Sequence, residues 1–513
     1  MRWAEPEIPG YYYDAEKNRY FLLKGPTSGT SRASSSFAAN AQKAQEKPPK
    51  DRKLWKRSSV KAFTLLKSRE LNGHLIPLHG RKGNFFEEFQ KIQVSQPRVW
   101  KYSGTINIGD AGLDQMHVHA LTPEGQIAVD VLVAGSRSHL LSLFEVGKVR
   151  KDYGAGVECI PDPVWPDFDK CEAECFKSPE SLWRPAGASL LMNSNISCIK
   201  VPGKYSFHLG ADGFGFQQRA LITTLGSEAF GGSLCTLDLV EPLDLNLTSD
   251  LRPLVREIAV LNCTVWTTDC NPNAIQAFIG TNHGAAMIDL ESGVTSWVCQ
   301  SKSDVLAQQL DQMGNVVLCG LRNGAIVTVD IREKPVRFSG GPTRHTIHFP
   351  PGQDRKHYKK WFELKGNIYP SQTTHMPSSV CCLSSLQWHD KYFLASSMDG
   401  SVKLYDHRMA RRGAIQSYEG HVNSCSRLQF GVDQSGRFLV AGGEDCNVRL
   451  WSIKSGEMLF EKKFFDAIPT SVCWRTAQRF VDVGDEHKSF TSSEKYEGGA
   501  WLGSSRGICY MCW

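Results

Sequence analysis

The chain of 513 residues is long enough for two or three average domains, or for one large closed β-architecture with extensions. Its 41% apolar and 22% charged content fits a soluble globular protein. No apolar run approaches the ~18 residues a membrane-spanning helix needs, and the opening Met1-Arg2-Trp3-Ala4-Glu5-Pro6 does not spell a secretory signal. The expectation is a soluble protein of the nucleus, the cytoplasm or both.

The net charge of +6 is uneven. Residues 1–70 hold 15 Lys/Arg against 7 Asp/Glu, which leaves 44 against 46 for the remainder, so the basic character belongs to a tail. Within that tail, residues 1–24 carry Tyr11-Tyr12-Tyr13-Asp14 and Arg19-Tyr20-Phe21 around a polar turn, which predicts a short aromatic hairpin. Residues 25–50 are rich in Ser, Ala, Gly, Pro and Gln with few large apolar groups, so they cannot bury enough surface to offset ordering entropy and are read as a disordered linker. Residues 51–96 interleave Leu54, Trp55, Phe63, Leu65 and Leu66 with Lys and Arg, and Phe85–Ile92 places apolar groups at helical spacing, which predicts a basic helical segment.

From residue 97 the pattern changes to short β-rich segments that recur. Gly280–Asp289, Gly320–Asp330, Ser397–Asp406 and Gly443–Ser452 each run from a small residue through a polar turn into an alternating strand that ends in an apolar or aromatic residue plus Asp or Ser. Asp289 to Asp330 is 41 residues and Asp406 to Ser452 is 46. Repeats of ~40–45 residues with this ending mark four-stranded propeller blades. Weaker blades are expected at Val131–Val146, at Leu221–Leu239 and over 467–513, for an all-β, seven-bladed WD-repeat propeller spanning 97–513.

In the repeat ending at Trp451, His421, Asp445 and Trp451 are expected to share a hydrogen-bond network across strands, with Gly443 in place of the usual Ser or Thr. The preceding repeat keeps Ser397 and Asp399 but has Tyr405 in place of Trp, with His375 a loose candidate for its His. Segments 161–187, 333–378 and 476–498 read as insertions, and the second of these, with 8 Lys/Arg against 3 Asp/Glu, is a candidate recognition surface. The chain stops at Trp513 where the third strand of a last blade should end. An N-terminal strand at or near Arg98–Tyr102 is therefore expected to close the ring, because an open edge invites aggregation.

No phosphate loop, HExxH or GxSxG spelling is present, and no acid/base pair stands out, so no cofactor and no catalytic residue is assigned. Of the 16 cysteines, most sit in β-like apolar runs as small hydrophobes. Cys171 and Cys175 make the best metal pair but lack a second pair at ligand spacing, and reduced thiols without a metal are the expectation. The residues that suggest a binding surface are Asp330 with Arg332 and Asp406 with Arg408. Both spell apolar-or-aromatic, Asp, any residue, Arg after a third strand, which places two planar guanidinium forks at one rim of consecutive blades.

This spelling resembles the WD-repeat substrate receptors of cullin-4 RING ubiquitin ligases, the cullin-4-associated factors. Pro9–Asp14 with Arg19–Phe21, Ser303–Gln309, Tyr418–Asn423, and Asp445-Cys446 with Arg449–Ser452 carry the likeness further. Tyr405 and Val329 in place of Trp, His407 inside the second triplet, and the long insertions depart from it. The resemblance implies a non-catalytic subunit that docks through Asp330, Arg332, Asp406 and Arg408 on the adaptor bridging to cullin-4. A helix from 51–92 would enter the adaptor's cleft, and a substrate protein would be presented for ubiquitylation. The alternative is a WD-repeat scaffold of a chromatin or RNA-processing complex, with the basic tail reaching nucleic acid.

Overall fold

The computed structural model describes residues 11–14, 19–22, 62–72, 75–78 and 81–513, apart from 123–124, 148–154, 167–177, 203–218, 228–229, 240–242, 245–249, 333–342, 347–360, 367–372, 388 and 476–497. The chain divides into two compact units, Met1–Val60 and Lys61–Trp513. The described part of the first is an antiparallel hairpin, Tyr11–Asp14 with Arg19–Leu22, in the register Tyr12↔Phe21 and Tyr13↔Tyr20. The linker expected over 25–50 and Cys171 and Cys175 lie outside the described residues, as does nearly all of 476–498.

The second unit is a seven-bladed β-propeller. Blade one is built on Gly112–Thr122, Gly125–Gly135, Leu140–Gly147 and Ser181–Pro185, and blade two on Ile196–Lys200, Arg219–Thr224, Ser233–Asp238 and Val255–Val260. Blade three follows with Val265–Cys270, Gln276–Thr281, Gly284–Asp289 and Thr295–Ser301; blade four with Val305–Leu310, Val316–Leu321, Ala325–Asp330 and Thr374–His375. Blade five is Val380–Ser385, Tyr392–Ser397, Val402–Asp406 and Gln416–Tyr418; blade six is Phe430–Val432, Phe438–Gly442, Asn447–Ser452 and Met458–Lys463. Because successive strands are antiparallel, first-to-second and third-to-fourth turns share one face, here the lower. Second-to-third turns and the links between blades lie on the other, upper face.

Blade seven takes Ser471–Trp474, Gly499–Ser504 and Gly507–Cys512 from the C-terminal segment and Arg98–Tyr102 as its fourth strand, in the register Tyr510↔Trp100 and Met511↔Val99. The ring is closed by the segment that the sequence nominates. Pro161–Trp165 adds a further strand outside it.

Alternation explains why such short strands hold. In blade six, Val448 and Leu450 pack toward blade seven with Val99 and Leu502, while Trp451 and Leu439 pack toward blade five with Leu394 and Val402. Each strand therefore supplies two inter-blade cores, one per face, as a period of two dictates.

Two segments read from the sequence as insertions also provide strands. Ser181–Pro185 is the fourth strand of blade one, and Thr374–His375 the fourth of blade four, so His375 sits opposite Ala325 within the sheet. Trp361–Gly366 and Thr343–Thr346 extend blade three as fifth and sixth strands. Their weak alternation hid them: Glu363-Leu364-Lys365 reads as a charged stretch, yet Leu364 is buried in the core shared by blades three and four.

The basic segment before the propeller contains two helices, α1 (Ala62–Asn72) and α2 (Phe85–Val94), joined by the hairpin Leu75–Leu78 and Arg81–Asn84. Asn84 caps α2 by accepting from the Phe86 amide at 3.0 Å, and Glu87 and Glu88 complement its N-terminal dipole. Helix α2 lies on the lower face of blade six. Its Glu87 pairs with Lys454 at 2.8 Å, Lys91 with Glu457 at 3.6 Å, and Gln90 accepts from Arg437.

Candidate docking face and the blade-six network

Arg332 and Arg408 follow the third strands of blades four and five, so they occupy equivalent places on the lower face. In both, the Asp two residues earlier grips the Arg in the same way. Asp330 accepts from the Arg332 amide at 3.0 Å, from Nε at 3.0 Å and from Nη2 at 2.6 Å. Asp406 accepts from the Arg408 amide at 2.9 Å, from Nε at 3.0 Å and from Nη2 at 2.7 Å. The carboxylate of Asp406 is nearly buried while the Arg408 side chain is 54% exposed; for Asp330 and Arg332 the figures are 16% and 65%.

The guanidinium beside each Asp holds its carboxyl below the usual carboxylate range. The chemical result is a fork fixed in orientation by its Asp, with an outer edge facing solvent. Such a fork can pair with a carboxylate or backbone carbonyls at little further entropic cost.

The residue between Asp and Arg differs. His407 packs its ring 4.6 Å from that of Phe393, which stacks in turn on Tyr405 at 5.3 Å. Burial pushes the His407 pKa down, so at neutral pH it is an uncharged ring under the Arg408 loop. It therefore supports the Asp–Arg geometry in blade five.

The lower face around these forks also exposes apolar residues. Ile275 and Val294 in turns of blade three, Met313 in a turn of blade four, and Met409 and Ile415 beside Arg408 are exposed by 46, 64, 75, 46 and 55%. These residues escape a search for motifs, because single apolar residues in turns carry no periodic signal. Exposed apolar groups gathered on one face with ordered cations have the composition of a protein-docking surface.

The network proposed for His421, Asp445, Trp451 and Asp399 is built differently from the expectation. His421 Nε2 bonds the Gly442 carbonyl at 2.9 Å, and Trp451 Nε1 donates to the Glu419 carbonyl at 2.9 Å; the two rings meet edge to face at 6.4 Å. Asp445 bonds neither ring. Its carboxylate takes the guanidinium of Arg449, with Nη1 at 3.0 Å, and Arg449 Nε also donates to Glu461 at 2.8 Å.

Burial alone would raise the Asp445 pKa, but the Arg449 bonds more than offset it and the carboxyl ends below its usual range. This explains the departure at Gly443. A Cβ there would stand 2.5 Å from Asp445 Oδ1 and 2.8 Å from Arg449 Nη1, so the guanidinium occupies the volume that a Ser or Thr side chain would need. Asp399 serves its own turn, accepting from the Ser401 amide at 3.1 Å and its hydroxyl at 2.8 Å, and from Ser397.

Burial makes several of the thiols poor nucleophiles. The 14 described cysteines are all free, and burial raises Cys235 to about 11 and Cys381 and Cys509 to about 12. Among the described residues, no group of three or more His, Cys, Asp and Glu is placed to hold a metal ion. None of the described helices is long and apolar enough to cross a membrane.

The fold and its repeats make the chain a WD-repeat β-propeller protein: residues 368–406 and 413–452 match the family model "WD domain, G-beta repeat". Human DDB1- and CUL4-associated factor 4 is 31% identical to it over 159 residues, 31% of this chain and 26% of that protein. Human DDB1- and CUL4-associated factor 4-like protein 2 is 31% identical over 160 residues, 31% of this chain and 32% of that protein. These relatives support the resemblance to the cullin-4-associated factors read from the sequence, although the chain spans only about a quarter to a third of their length. Mouse target of rapamycin complex subunit LST8 is 26% identical over 131 residues, 25% of this chain and 39% of that protein, so WD-repeat likeness reaches a different kind of assembly.

Proposed function

We propose that this protein is a substrate-recognition subunit of a cullin-4 RING ubiquitin ligase. It docks through the lower face of blades four and five on the adaptor DDB1 and contributes no catalytic group. The observation that carries this reading is the pair of superimposable Asp–Arg forks, Asp330–Arg332 and Asp406–Arg408, on consecutive blades amid exposed apolar turns. Similarity to proteins named for association with DDB1 and CUL4 supports the same partner. Helix α2, seated on the same face at blade six, extends the surface beside Arg408. Substrate bound elsewhere on the propeller would react because the assembly holds it near the ubiquitin-charged enzyme, a proximity effect.

Affinity purification of the wild type and of the double variant Arg332→Glu, Arg408→Glu tests this. Wild type should retrieve DDB1 and CUL4, and the variant, matched in thermal stability, should not. Failure of the wild type to retrieve either would leave a WD-repeat scaffold of another assembly. Retention by both proteins would move docking away from the two forks.

A further inference from the structure

The innermost strands of all seven blades surround a central cavity of about 560 Å³. Most polar groups along it are matched. Asp269 pairs with Lys200 at 3.6 Å and accepts from the Leu310 amide and Gln309; Asp311 accepts from the Asn315 and Val316 amides. Arg427 differs. It stands just before the first strand of blade six, at the upper mouth, and its Nη1 crosses the channel to the carbonyl of Ser197 on blade two at 2.9 Å. Among the described residues its Nε, closed off from solvent, has no hydrogen-bond partner, and no carboxylate pairs with it.

The groups around Arg427 are the thiols of Cys198, Cys381 and Cys382 and a second guanidinium, Arg137, in the upper turn of blade one. Burial pushes the Arg427 pKa down; the three thiols oppose this, and Arg137 adds to it. A largely enclosed guanidinium with one carbonyl partner and a cation for a neighbour is costly to keep, because a buried charge without a counter-ion forfeits most of its hydration.

The loop holding Arg427 is also fixed in place. Glu444 accepts from the Ser424 hydroxyl at 2.6 Å, the Ser426 amide at 2.9 Å and the Cys425 amide at 3.2 Å. These bonds outweigh its burial and bring its pKa down to about 2, so the clamp stays charged. Exposed Phe230 and Val422 lie on the same upper face.

We infer that the upper mouth of the channel, around Arg427 with Arg137, binds an anionic group carried on a peptide, a glutamate or aspartate carboxylate or a phosphorylated side chain, flanked by apolar residues. The anion supplies the counter-charge that Arg427 lacks among the described residues, while Phe230 and Val422, exposed on the same face, offer apolar contact. The inference rests on the receptor reading only in naming this peptide as part of the substrate. The site lies on the face opposite Arg332 and Arg408, so a substrate and a docked adaptor do not compete for it.

The test is direct binding to the full chain by fluorescence polarisation, with no adaptor present. Three labelled peptides share an apolar frame and carry either Glu pairs, the matching Gln pairs, or phosphoserine. The Glu or phosphoserine peptide should bind at least about tenfold tighter than the Gln peptide, with affinity falling as salt rises. Folded Arg427→Gln should abolish that preference while still retrieving DDB1. Equal binding of all three peptides, or an unchanged preference in Arg427→Gln, overturns the proposal. So does inorganic phosphate raising the melting temperature of wild type but not of the variant while none of the peptides binds, which would mark an isolated anion site. Should Arg427→Gln not fold, Arg137→Gln is read the same way, with the preference expected to weaken several-fold. Because peptide binding needs no adaptor, failure here and failure of DDB1 retrieval are separable.

Discussion

The indole of Trp513 donates to the carbonyl of Val94, the last residue of helix α2, at 2.6 Å, while its ring stacks on Trp474 at 5.1 Å. One side chain thus ties α2 to the third strand of blade seven and to the innermost strand of that blade. Val94 itself is fully buried in the same cluster as Val99 and Met511. The helix is consequently a fixed part of the lower face, and its position next to blade six depends on blade seven being closed.

Trp513→Ala should loosen that attachment. The side chain is only partly buried, so the loss should be about 2 kcal/mol rather than the ~3–5 of a fully enclosed Trp. The expected signature is local: faster proteolysis within the hairpin between α1 and α2, together with a lower melting temperature. A variant with wild-type protease resistance in that hairpin would show that Glu87–Lys454 and Lys91–Glu457 suffice to hold the helix.

Arg449 carries a second expectation. Its side chain is 3% exposed and serves two carboxylates, Asp445 and Glu461, at 27% and 35% exposure. Arg449→Leu leaves both acids without their partner and should cost about 2–3 kcal/mol in urea unfolding, the lower end of the range for broken buried pairs because both acids keep some water. Arg449→Leu with Asp445→Asn should recover part of the loss. Gly443→Ser should destabilise wild type, since its Cβ meets Asp445 and the guanidinium that holds it, and should cost less beside Arg449→Leu, where the Asp445 carboxylate is free to turn away.

Which features the sequence revealed follows from their physical origin. Blades five and six were legible because Val402–Asp406 and Asn447–Ser452 share one spelling, an apolar–basic–apolar run into an aromatic and then Asp or Ser. The Asp–Arg forks were legible because the bonds between each Asp and its Arg are made within three residues. The blade-six network was misread because it depends on Arg449, which as an isolated letter in a strand looks like a solvated charge. Arg427 was invisible for a related reason: its partner Ser197 is 230 residues away in sequence, and only ring closure brings blades two and six across one channel. The exposed apolar turns of blades three to five likewise acquire meaning only once the propeller puts them on one face.

One buried and one half-buried histidine predict how stability varies with pH. Burial lowers the pKa of His407 and of His421 from the ordinary 6.5, in His421 against the opposing effect of its bond to Gly442; Arg449 also lowers it and Asp445 raises it. Between the depressed folded value and ~6.5, the unfolded chain binds more protons than the folded one. The stability these rings contribute is therefore complete above about pH 6.5 and is lost as pH falls below it toward the folded pKa values. The urea midpoint should fall between pH 7.5 and 5.5. His421→Gln, which can still donate to Gly442, should show a shallower fall, and an unchanged slope would assign the pH dependence to other groups.

Ring closure gives the last expectation, and the two faces of one strand provide its control. Arg98–Tyr102 is the fourth strand of blade seven; Val99 within it is wholly buried, while Lys101 faces solvent opposite Cys509. Val99→Asp forces a carboxylate into the apolar cluster of Met511 and the blade-six core, at a cost of several kcal/mol. Displacing the strand also bares the edge of Gly507–Cys512, whose unpaired amides and carbonyls can template pairing with another chain. Val99→Asp should accordingly run as soluble aggregate on size exclusion, whereas Lys101→Asp stays monodisperse with a nearly unchanged melting temperature. If Val99→Asp were as stable and monodisperse as wild type, blade seven would not need this strand, and α2, which leads directly into it, would lose its anchor as the reason for its fixed place on blade six.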